Sequence, residues 1–177
     1  MALALVQGAW AADSIFPLGP GDVLEVSAWK DEALSRKVLV RPDGYISFPL
    51  IGDVQAQGLS VEELRLQIET KVQEFVPDVA VTVILLEANS SRLYVVGKVN
   101  KPGVFLMMGE TTVVQALAWA GGPATFAATD SIRIIRRAGG KQQVIGFDYD
   151  DLADASLDDV DLSSNIVLHP GDTIIVP

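Results

Sequence analysis

Few groups of residues in this chain have the types and spacing that chemistry needs. The densest is an acidic run, Asp148, Asp150, Asp151, Asp154, Asp158, Asp159 and Asp161, with no Lys or Arg among them. Carboxylate oxygens at that density suit Ca²⁺. An EF-hand loop, however, needs a central Gly and a terminal Glu, and both are missing. A run of like charge then reads as a solvated loop held open by self-repulsion, and no metal ligand set is assigned. Glu62 and Glu63 form the most evident carboxylate pair, the raw material of glycoside hydrolysis. Neighbours on a helix point apart, and Glu63 lies three residues after Ser60, where it caps a helix instead. The one histidine, His169, precedes Pro170-Gly171 and reads as a surface turn residue, with pH sensing near neutrality as the sharper alternative. There is no cysteine, which excludes thiolate catalysis, disulfides, cysteine-bound zinc and acylation of an N-terminal Cys. The glycines form neither a P-loop nor a Gly-x-Gly-x-x-Gly fingerprint, so no nucleotide site is expected. Without a partnered acid and base, the chain reads as a non-enzyme that needs no cofactor.

Binding is better supplied than catalysis. Arg133, Arg136, Arg137 and Lys141 make the only basic cluster, around one hairpin. Its functional reading is contact with an acidic glycan or with a neighbouring subunit's Asp150, Asp151, Asp158 and Asp159, which favours head-to-tail rings. The plainer reading is a solvated edge strand protected by its charge. Trp29, Trp119 and Tyr94 have rings suited to stacking on sugars. Trp119 sits in an apolar helical stretch and reads as core. Trp29, beside Lys30-Asp31-Glu32 at a strand end, is the better candidate for a glycan contact, although core packing is the ordinary fate of a tryptophan.

These side chains must be held by a chain of 177 residues with a formal charge of −10 and an apolar share of 49%. Such a length makes one domain or two small ones. The composition excludes a disordered chain. The acidic balance argues against nucleic acid and anionic membrane surfaces. Pro20-Gly21-Asp22 is a turn that launches a strand over Val23 to Trp29. Pro42-Asp43-Gly44, flanked by β-formers from Val38 to Phe48, predicts a hairpin. Ser60 and Glu63 form a capping box for a helix whose Val61, Leu64, Ile68, Val72 and Phe75 share one face, with Pro77 just past its end. Val79 to Leu86 is apolar at nearly every position and predicts a strand buried on both faces.

After the polar break Ala88-Asn89-Ser90-Ser91 the order repeats in outline. Strands are expected at Arg92 to Val99, Val104 to Met107, Ser131 to Arg137 and Gln142 to Phe147, with a short helix opening at Thr111 and closing at Gly121-Gly122. Residues 148–161 read as a loop. Pro170-Gly171-Asp172-Thr173-Ile174-x-Val176 repeats the device of Pro20-Gly21-Asp22-Val23-Leu24-x-Val26. The expected fold is α+β: two small mixed-sheet lobes, each with one main helix, at residues 14–88 and 89–177. Residues 1–13 stand apart. Ala2 to Ala12 are apolar and end in small residues, as a signal peptide does before cleavage, although the basic start of such a signal is missing. An exported chain that does not span a membrane by a helix is the expectation.

Two stretches resemble a known family. Residues 18–54, from Leu18-Gly19-Pro20-Gly21-Asp22 to Val40-Arg41-Pro42-Asp43-Gly44-Tyr45 and Gly52-Asp53-Val54, are similar to the polysaccharide export domain of outer-membrane polysaccharide export proteins, and Gly58-Leu59-Ser60-Val61-Glu62-Glu63-Leu64 continues it. Residues 92–177 resemble the soluble-ligand-binding β-grasp (SLBB) domain that follows in that family, through Tyr94-Val95-Val96-Gly97-Lys98-Val99, Ala116-Leu117-Ala118-Trp119-Ala120-Gly121-Gly122 and His169-Pro170-Gly171-Asp172. The resemblance implies a periplasmic, outer-membrane-associated component of capsular or exopolysaccharide export. It implies assembly into a homo-oligomeric ring that acts as a passive conduit or adaptor. It also implies an inner-membrane chain-length regulator and tyrosine kinase as partner, and a separate outer-membrane β-barrel, since a lipid-bearing Cys, further β-grasp repeats and a pore-forming helix are not found here. The alternative is a free periplasmic module that binds a glycan or another ligand.

Overall fold

The computed structural model describes residues 16–29, 31–153 and 165–177. The signal-like segment 1–13 and Asp154, Asp158, Asp159 and Asp161 lie outside the described residues.

The first sheet joins β1 (Val23–Ala28), β2 (Asp31–Leu39) and β5 (Val81–Glu87) in the order β2-β1-β5, antiparallel throughout. Strict alternation on β1 sends Leu24, Val26 and Ala28 inward. Against that face lies α1 (Val61–Gln73), whose Leu64, Ile68 and Val72 are all fully buried. Each such side chain contributes about 1.5–3 kcal/mol through burial. The capping box forms as the sequence requires: Ser60 Oγ accepts from the Glu63 N–H at 3.1 Å, and the Glu63 carboxylate accepts from the Ser60 N–H at 2.8 Å. Phe75 lies past the end of α1 and is 57% exposed, so the apolar stripe stops at Val72.

Pro42-Asp43-Gly44 makes the turn its residues favour, with the Arg41 N–H donating to the Tyr45 carbonyl at 2.9 Å. The strands on either side then part. β2 stays with β1, while β3 (Tyr45–Phe48) pairs with β4 (Gly52–Gln55) in a separate ribbon. The expected hairpin is therefore a corner between two sheets. β5 also differs from expectation. It is buried on one face only, with Val81 and Val83 inward and Ile84 and Leu86 48% and 39% exposed. Among the described residues its second face is left exposed, as an antiparallel sheet allows on one side.

The second sheet has the order β10-β9-β12-β6-β7, built from β6 (Arg92–Gly97), β7 (Gly103–Leu106), β9 (Ile132–Ala138), β10 (Lys141–Phe147) and β12 (Thr173–Val176). It is mixed, because β12 runs parallel to β6 and antiparallel to β9. A two-stranded ribbon of β8 (Thr111–Thr112) and β11 (Val167–Leu168) leads into α2 (Val113–Trp119), which Thr112 and Gln115 cap. Val113, Ala116 and Leu117 of α2 join Leu93, Val95, Ile132, Ile134 and Ile174 in a second core. Trp119 is not part of it. It is 41% exposed at the end of α2, its ring 6.4 Å from that of Phe105 on β7, the edge strand of the sheet. A short α3 (Tyr149–Ala153) begins the segment read as an acidic loop. Among the described residues, no helix is long and apolar enough to cross a membrane.

Candidate functional site

The two Pro-Gly-Asp turns are built alike. In the first, the Gly21 N–H donates to the Val40 carbonyl, and the Asp22 carbonyl accepts from the Val40 N–H. In the second, the Gly171 N–H donates to the Arg92 carbonyl, and the Asp172 carbonyl accepts from the Tyr94 N–H. Both glycines are left-handed, at φ 95° and 89°, which a side chain would disfavour. Each aspartate takes the N–H three residues earlier, Gly19 or His169, at 2.8 Å.

The carboxylates then diverge. That of Asp22 is fully buried and accepts from the Ser90 N–H at 2.7 Å and the Ser90 hydroxyl at 2.8 Å, fastening the start of the first lobe to the segment that leads into the second. That of Asp172 is 1% exposed and forms an ion pair with Arg136, whose Nη2 lies 2.6 Å away and whose Nε reaches both oxygens at 3.1 Å. Arg136 Nη2 also donates to the Val167 carbonyl at 2.8 Å. Arg136 is thus engaged inside the lobe, on the opposite face of β9 from Arg133 and Arg137, which stay exposed. Of the cluster, Arg133, Arg137 and the exposed Lys141 remain for an external partner.

Asp150 and Asp151 lie at the other end of that hairpin. Asp148 Oδ1 accepts from their N–H groups at 3.0 and 3.2 Å, capping α3, and Asp150 accepts from the Thr129 hydroxyl at 2.9 Å. The β9–β10 hairpin therefore carries Arg137 and Lys141 near its tip, while Arg133, opposite Gly146, sits near the base with the carboxylates. Trp29 is 74% exposed, not packed in a core. It follows β1, which carries it roughly 20 Å from Gly21 at the rise of a strand. Of the predicted contact residues, Arg136 is brought to the second turn through Asp172, whereas Trp29 is carried away from the first.

A cleft of about 370 Å³ lies where the two turns meet, lined by Gly21, Asn89, Ser90, Arg92, Tyr94 and Gly171. Spacing along the chain does not reveal it, because it forms from residues far apart in sequence. The repeated Pro-Gly-Asp is the one sequence signal that points to it.

In the first lobe, Arg41 binds Asp43 and Asp53, and its guanidinium is held charged to still higher pH by Asp43 first and Asp53 second. The Ser47 hydroxyl, then Arg41, hold the Asp53 carboxyl below the usual range. These carboxylates fasten the Pro-Asp-Gly corner to the β3–β4 ribbon and are not free acids or bases.

The family model for polysaccharide biosynthesis/export proteins matches residues 11–86, and that for the SLBB domain matches residues 92–147. With both domains in that order, the chain belongs to the outer-membrane polysaccharide export family. It is 32% identical over 106 residues to the polysialic acid transport protein KpsD of Escherichia coli, covering 59% of this chain and 19% of that protein. It is 34% identical over 139 residues to the EPS I polysaccharide export outer membrane protein EpsA of Ralstonia nicotianae, covering 78% of this chain and 35% of that protein. The chain thus spans from 19% to 35% of the length of these curated relatives.

Proposed function

We propose that this protein is a periplasmic, outer-membrane-associated component of a capsular or exopolysaccharide export route, acting as a conduit or adaptor without catalysis. The observation that carries the reading is the pair of domains, export then SLBB, in family order across residues 11–147. The carboxylates of the two turns support a non-enzymatic role, since both are buried and committed to fixed partners. The chain works as subunits around a hydrated lumen, past which the glycan slides. The second sheet supports assembly. Its α2-covered face is core, while the other face exposes Val96, Val104, Leu106 and Val144, with Arg133 and Arg137 beside them. Exposed apolar surface of that kind marks an interaction site. Arg137 and Lys141 at the tip of the β9–β10 hairpin and the carboxylates past its base suit a head-to-tail contact, which makes a ring where its rotation closes. Partners in this reading are the polysaccharide, an inner-membrane chain-length regulator with its kinase, and a separate outer-membrane β-barrel. Residues 14–88 and 89–177 are the two working units, the second a β-grasp.

Two experiments test this. Following the polysaccharide in cells that lack the gene tests export, and the mass of the full-length protein in solution tests assembly. A monomer that binds glycan, in cells with normal surface polysaccharide, would favour a free binding module.

A further inference from the structure

We propose that the cleft between the two turns is a subsite for a carboxylate-bearing sugar residue, paired with Arg92 and stacked on Tyr94. The inference rests on the export reading and adds a substrate class to it.

The floor of the cleft is bare backbone. A side chain added at Gly171 would meet nothing within 4 Å, so the space is open and is kept open by the glycine that the turn requires. Arg92 and Tyr94 alternate outward on β6, two residues apart, and so stand side by side above that floor. Tyr94 is 40% exposed and lines the cleft. An aromatic face matches the C–H face of a pyranose, and its hydroxyl adds a polar tip.

Arg92 supplies the charge. Its Nη2 donates to Asn89 Oδ1 at 2.8 Å, and Asn89 Nδ2 donates to the Glu87 carboxylate at 2.8 Å. This relay orients the guanidinium through a neutral amide, with no carboxylate bound to it. Arg41, Arg65 and Arg136 each have a carboxylate partner, whereas no ion pair involves Arg92 among the described residues. The acids around the cleft are each engaged elsewhere: Glu87 accepts from the Asn89 amide and does not pair with Arg92. Asp22 is held by Gly19 and Ser90, and Asp172 by Arg136 and His169. Arg92 is therefore the one charged residue of the lining. In a chain of net charge −10, attraction for an anion must be local, and here it is. The flat fork of a guanidinium fits a planar carboxylate at two points.

The test uses the ¹⁵N-labelled full chain and an oligosaccharide containing glucuronic acid, beside the same oligosaccharide with its carboxylates reduced to alcohols. The acidic form should shift the amides of Gly21, Ser90, Tyr94 and Gly171 saturably. Carboxylate reduction should weaken binding about tenfold or more, the size of a lost charge-assisted hydrogen bond. Arg92→Gln should produce the same loss with the acidic form and little change with the reduced one, whereas Tyr94→Ala should weaken both. Equal affinity for the two forms, displacement of the sugar by equimolar inorganic phosphate, or the lack of saturable shifts at these amides would overturn the proposal. The comparison of the two sugars needs no variant, so it holds even if a substitution unfolds the protein. If cells lacking the gene lose surface glycan but the cleft binds neither sugar, the subsite fails and the export reading stands.

Discussion

The carboxylate of Asp22 accepts both the N–H and the hydroxyl of Ser90, at 2.7 and 2.8 Å, across a sequence separation of 68 residues. This contact closes the first lobe onto the strand that opens the second. Asp22 is fully buried, so the bonds are shielded from water. Removing the carboxylate leaves the Gly19 and Ser90 N–H groups without a partner. Asp22→Ala should cost about 2–4 kcal/mol in denaturant unfolding, and Asp22→Asn, which keeps one acceptor oxygen, clearly less. A loss below about 0.5 kcal/mol would mean that the link is not structural.

Arg136 and Asp172 form the matching lock of the second lobe. Arg136→Met leaves a buried charge unpaired and should destabilise by about 3 kcal/mol or more. The double variant Arg136→Met/Asp172→Asn should recover part of that loss, because it removes the stranded charge. A double-mutant cycle by urea unfolding measures the coupling.

Gly97 closes the parallel pair of β6 with β12. Its φ is 97°, and a Cβ there would fall 2.0 Å from the Val176 carbonyl oxygen. Gly97→Ala should cost about 2 kcal/mol or more by thermal unfolding, since backbone rather than a flexible side chain has to move.

The capping box of α1 should give stability an acid limb. The Ser60 N–H, then the Ser60 hydroxyl, donate to the Glu63 carboxylate and lower its pKa from the ordinary 4.5. Its contribution is complete above that value and is lost as pH falls through the lowered folded value. Glu63→Gln retains a cap through its amide oxygen but no longer titrates. Unfolding midpoints between pH 6 and about pH 3 should therefore fall less steeply in the variant.

Local chemistry was readable from the sequence; distant pairing was not. The Ser60–Glu63 box and both Pro-Gly-Asp turns follow from residues within a few positions of each other. The errors arise where a second layer decides. Val79 to Leu86 is apolar enough for a strand covered on both sides, yet the structure covers one. Trp119 has core chemistry but lies half-exposed beside Phe105 at the sheet edge, and Pro42-Asp43-Gly44 turns the chain without pairing its flanks. The Arg136–Asp172 pair and the cleft at Arg92 depend on β12 inserting between β6 and β9, which no spacing announces.

Trp29, 74% exposed, should matter little to folding. Trp29→Ala should leave stability within about 0.5 kcal/mol of the parent. As a glycan contact, it should lower surface polysaccharide at unchanged protein level, read by quantitative immunoblot and glycan assay on the same cells.

The most direct test of the export account is the location of the polysaccharide in cells of the source organism that lack this gene. The account predicts loss of surface glycan, retention of glycan or its precursors inside the cell, and recovery when the intact gene is restored. Normal surface glycan in cells with no second copy to compensate would contradict it.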